Sequence, residues 1–73
     1  MPHLTAKQEA FARRLTAGDT QAEAYRHAYS SEGMAPPAVW SEASRLAANP
    51  KVAARVQELR TEAEEMRRMA ALN

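Results

Sequence analysis

Hydrophobic and polar positions along this chain alternate at helical spacing, broken by caps and stops. Leu4, Phe11 and Leu15 fall on one helical face with Ala12 beside them. Thr5 is placed as the cap of that helix and Gln8 follows at the capping-box distance, so each side chain can satisfy a free backbone N–H of the other. Gly18 supplies a left-handed stop. Thr20 and Glu23 repeat the box, and Ala22, Tyr25 and Tyr29 form the apolar face of a second helix. Ala24 and Ala28 lie alongside and let another helix come close. The tyrosines, one turn apart, are expected in the core or at its edge, with base stacking as the alternative.

Ser30 to Pro37 is the one real interruption, carrying Gly33 and the pair Pro36-Pro37. A third helix is predicted from about Pro37 to Ala48, with Val39, Ala43, Leu46 and Ala47 inward and Trp40 bordering that stripe. Ser41, Glu42, Ser44 and Arg45 remain on its outer side. Asn49 and Pro50 then form a sharp joint. Asn49 is a good N-cap, and Pro50 fits the first helical position, where its missing N–H costs nothing. A residue before proline avoids the α region, so the third helix must end near Ala48.

The fourth helix has no internal Gly or Pro through Leu72. Val52, Val56, Leu59, Ala63, Met66 and Ala70 form a heptad-like seam, thinned in its second half by two alanines. Glu64 and Arg68 are placed to pair one turn apart. The first three helices need only the start of the seam to close a core. The expected division is therefore a domain over residues 1–59 and a distal helix over 60–73 that frays or meets another chain. An end cut before an oligomerisation region is the favoured reading. The core is expected around Phe11, Leu15, Tyr25, Leu46 and Val52. The fold class is all-α: three short helices in a helix-turn-helix order, then a longer fourth.

Composition narrows the picture without naming a function. At 73 residues without cysteine, the chain has neither disulfides nor thiolate metal sites to help a small core. A formal net charge of +1 is too small to argue for nucleic acid by itself. No apolar run approaches a membrane span, and no leader resembles a signal peptide, so no membrane partner is expected and an intracellular setting is. No enzyme is visible: Gly18 and Gly33 are isolated, and His3 and His27 lack acidic partners at ligand spacing. Neither a cofactor nor a metal is expected.

Basic residues gather at the joint. Arg45, Lys51 and Arg55 flank Asn49-Pro50, and Lys51 and Arg55 stand one turn apart as a like-charged pair. A helix N-terminus beside cations suits a phosphate. Arg45 also has a plain reading, as a cation in the last turn of a helix. Arg26 and Lys7 are weaker contacts. The start of the third helix offers Ala38, Val39, Ser41 and Glu42, with no Arg, Asn or Gln for bidentate base contacts. A single copy should therefore bind weakly, and repeated copies or DNA bending would have to supply specificity.

Four blocks carry a resemblance: Leu4-Thr5-Ala6-Lys7-Gln8-Glu9-Ala10-Phe11, Thr20-Gln21-Ala22-Glu23-Ala24-Tyr25, Tyr29-Ser30, and Ser44-Arg45-Leu46 with Asn49-Pro50-Lys51-Val52. In this order they resemble the N-terminal helix-turn-helix domain of bacteriophage small terminase subunits, over roughly Leu4 to Leu59. The resemblance implies binding to double-stranded DNA at the start site of viral genome packaging, in the host cell cytoplasm. It also implies a homo-oligomer in the full-length protein and delivery of the genome to the large terminase subunit, which holds motor and nuclease. Ser41, Ser44, Arg45, Lys51, Arg55, Arg26 and Lys7 are the expected DNA-binding residues. Two departures stand out: Ala28 precedes the tyrosine where the family has a small residue in a tight joint, and the loop from Ser30 to Pro37 is longer. A helix-turn-helix transcription regulator, paired on a palindrome, and a helical adapter using the fourth-helix seam are the alternatives.

Overall fold

A computed structural model describes residues 4–72; His3 lies outside them, as do the outermost residues of the two expected segments. The described chain contains α1 (Ala6–Thr16), α2 (Gln21–Ala28), α3 (Pro36–Ala48) and α4 (Pro50–Ala71). No strand occurs among the described residues. The fold is all-α, with three short helices and a longer fourth.

Both capping boxes form. The Gln8 amide donates to Thr5 Oγ1 at 3.1 Å, and the Thr5 amide donates to Gln8 Oε1 at 3.0 Å. At α2 the Glu23 amide donates to Thr20 Oγ1 at 3.2 Å and the Thr20 amide to Glu23 Oε1 at 2.9 Å. Gly18 takes a positive φ of 108° beyond the end of α1, a conformation that an L side chain rarely adopts. α3 starts one residue earlier than its expected start, with Pro36 and Pro37 at its first two positions. Both rings lack an N–H where helices leave amides free anyway.

α1 packs against α2 and α4, α2 against α3, and α3 against α4, so the four helices close a ring of contacts. Phe11, Val39 and Val52 are the largest fully buried side chains. Phe11 and Val52 join Ala12, Ala24, Ala43, Val56 and Leu59 in one cluster. The three alanines are what let α1, α2 and α3 approach so closely. Leu15, Tyr25 and Leu46 pack against this cluster but are only partly buried, so they form its edge rather than its centre.

Leu59 is the last buried residue of α4. Past it the helix continues to Ala71 with Met66, Met69 and Leu72 exposed. Ala63 is partly covered and Ala70 is open to solvent. The seam thus splits as its residues suggest: valines and leucine bury, alanines and methionine do not. Glu64 and Arg68 do not form an ion pair among the described residues.

Candidate nucleic-acid interface

The joint between α3 and α4 forms at Asn49. Its Oδ1 accepts from the Lys51 amide at 2.9 Å and the Val52 amide at 3.4 Å. The Ala53 amide donates to the Asn49 carbonyl at 2.8 Å, and Pro50 has no amide to give. This corrects the expected phosphate seat. Asn49 and its own carbonyl already take the first-turn amides, so only the dipole field of α4 and nearby side chains are left to attract an anion.

Arg55 is the larger correction. Its Nε donates to Glu9 Oε1 at 2.9 Å and Oε2 at 3.2 Å, its Nη2 to Glu9 Oε2 at 3.0 Å, and its Nη1 to Glu58 Oε2 at 3.0 Å. The Arg55 side chain is only 24% exposed. It does not sit on the expected solvated face but is half-buried, with Glu9 and Glu58 as its partners. It fastens α4 to α1 through a fork that matches a carboxylate. Glu9 also accepts from Arg13 Nε at 2.8 Å. The Arg55 guanidinium, first of all, holds the Glu9 carboxyl below its ordinary range, with Arg13 adding to the effect and burial opposing it.

What remains at the joint is a pair of cations. Lys51 is exposed and has no ion-pair partner among the described residues. The Arg45 side chain is 77% exposed, and its Nη1 stands 3.5 Å from Glu42 Oε1, a long contact between exposed groups that is worth little. Ser41 and Ser44 are exposed on α3, and Arg26 is exposed in the last turn of α2.

Lys7 is placed by a different partner. Its Nζ lies 5.7 Å from the centre of the Tyr29 ring, within cation–π range. Tyr29 stacks on Tyr25 with ring centres 4.9 Å apart and planes 12° from parallel. The two tyrosines, Glu42, Arg45, Leu46 and Asn49 line an open recess of about 200 Å³. Burial, followed by the neighbouring Tyr25, pushes the Tyr29 phenol up. Lys7 and Arg45 therefore border the same aromatic pair from α1 and α3.

The four residues at the start of α3, which offer no bidentate base contact, divide by burial. Val39 is buried, and Glu42 is half-buried beside Arg45 and the tyrosines. Ala38 and Ser41 are exposed. Trp40, placed by its spacing only at the border of the apolar stripe, is 60% exposed. No group of His, Cys, Asp or Glu among the described residues is arranged to hold a metal ion. No described helix is long and apolar enough to cross a membrane.

Comparison with protein-family models, with curated proteins and with solved structures finds no match.

Proposed function

We propose that this chain is a DNA-binding domain of the small terminase type: it binds double-stranded viral DNA for packaging and presents it to a large terminase subunit. The observation that carries the reading is the joint. Arg45 and Lys51 flank the Asn49-Pro50 turn with exposed, weakly engaged charges, at the point where the sequence blocks shared with that family end. The helix order supports it too: α2, a connecting loop and α3 follow one another as in a helix-turn-helix unit, and α2 packs on α3. Two cations, with no Arg, Asn or Gln at the start of α3, make a phosphate-contacting domain whose single copy binds weakly. Several copies held in one oligomer multiply such affinities through effective concentration.

The test is an anisotropy titration of a labelled random-sequence duplex with the protein, at low salt, beside the double variant Arg45→Ala/Lys51→Ala. Binding by the parent and its loss in the folded variant support the reading. Equal behaviour of the two, or no binding by either, refutes it.

A further inference from the structure

The chain has one tryptophan. A single exposed apolar side chain needs no explanation in itself. Trp40 differs in where it stands. It lies on α3 one turn from Pro37 and one turn from Ser44, and both are exposed. With Ser41, Ala48 and Arg45 they make up the outer face of that helix. Every other side chain on the face is small or cationic. The one carboxylate of α3 belongs to Glu42, which lies on the flank away from Trp40, 3.5 Å from Arg45 and against the tyrosine recess. A helix face with little bulk, whose nearest acid lies at the far edge beside Arg45, can approach a polyanion closely, and a lone indole is then the group that reaches furthest into a groove. Arg45, at the C-terminal end of the face, is its one side chain suited to a bidentate base contact; in the N-terminal half no Arg, Asn or Gln is present, so preference there comes through apolar contact.

In the major groove the apolar mark is the thymine methyl group. We infer that Trp40 packs on thymine methyl groups in the major groove of double-stranded DNA, giving the N-terminal half of α3 a preference for A·T-containing sites. This rests on the DNA-binding reading above. The indole suits the task, since it carries a large flat apolar surface at low conformational cost. Its exposure also means that its removal leaves Phe11, Val39 and Val52, the centre of the core, untouched.

The experiment compares three labelled duplexes: alternating poly(dA–dT), alternating poly(dA–dU), which lacks only the methyl groups, and alternating poly(dG–dC). Affinity is read by anisotropy of the label and, separately, by the emission of Trp40. The parent is expected to bind poly(dA–dT) about fourfold more tightly than poly(dA–dU) for each buried methyl group, with its tryptophan emission quenched at saturation. Trp40→Ala, checked for helicity by circular dichroism, is expected to bind both A-containing duplexes alike. Equal affinity of the parent for dT and dU duplexes overturns the inference while DNA binding stands. So does unchanged emission at saturation, or a methyl preference that survives in Trp40→Ala. Failure of all three duplexes to bind overturns the DNA-binding reading itself.

Discussion

Arg55 and Glu9, far apart in the chain, meet with Nε 2.9 Å from Oε1. They tie the second turn of α4 to the first turn of α1, alongside the Phe11–Val52 centre of the core. Arg55→Ala should therefore lower the melting temperature, because it leaves Glu9 without its fork-shaped partner. Lys51→Ala, one turn away and exposed, should leave the melting temperature nearly where it was. Arg55→Ala combined with Glu9→Gln should destabilise by less than the two single changes added together, since they share one interaction. Full additivity would show that the pair does not act as a unit.

The same pair sets a pH dependence. The folded Glu9 carboxyl titrates below its ordinary value of 4.5. A depressed folded value means that the stabilisation is fully present above the unfolded value. It is lost as pH falls below about 4.5 and through the folded value. Glu23, held down by its bonds to Thr20, acts with the same sign. Thermal melts from pH 7 downward should show the parent losing stability in that acid window. Glu9→Gln should lose less over the window, having already lost the contribution at neutral pH. A parallel decline in both proteins would remove Glu9 from the explanation.

Phe11 is fully buried, on α1, where α2 and α4 both pack. Truncation to alanine should cost about 3–5 kcal/mol. A single core of this size rarely supplies more than about 3–5 kcal/mol in all, so Phe11→Ala should be largely unfolded by circular dichroism at 25 °C. A cooperative melt close to that of the parent would place the centre of the core elsewhere.

Beyond Leu59, α4 presents Met66, Met69 and Leu72 to solvent. Only Met66 adds bulk to the seam there, between Ala63 and Ala70. Such a seam should give weak self-association. Sedimentation velocity over a hundredfold concentration range should show mainly monomer, with a slow rise in mean mass at the top. A dimer or ring that persists at the lowest concentration would mean that the exposed stripe is a strong interface.

Much of the backbone was legible because caps are local. Thr5 with Gln8, Thr20 with Glu23, and Asn49 with Pro50 each need only a few neighbouring residues, and each forms as its spacing predicts. The apolar face of α3 was legible for the same reason, from the spacing of Val39 and Ala43. Leu15, Tyr25 and Leu46 show the limit: periodicity gives a side but not a depth, and the small alanines Ala12, Ala24 and Ala43 took the centre instead. At the joint, spacing put Arg55 beside Lys51 and could not reveal that Glu9, from another helix, faces it. The Asn49 cap was legible, and it is this cap that takes the amides a phosphate was expected to use. Trp40 sat at the border of a stripe, where a small rotation of the helix decides between core and solvent.

The DNA face is tested most directly by the salt dependence of affinity for a random-sequence duplex, measured for the parent, Lys51→Ala, Arg45→Ala and the distal pair Arg67→Ala and Arg68→Ala. Each phosphate contact releases roughly one counterion, so its loss lowers the slope of log affinity against log salt by about one unit and weakens all sequences alike. Lys51→Ala and Arg45→Ala should each show that change with melting temperatures close to the parent, and the distal pair should keep the parent's slope. An unchanged slope in Lys51→Ala and Arg45→Ala, with a reduced one in the distal variants, would contradict a DNA face at the joint and move it to the exposed end of α4.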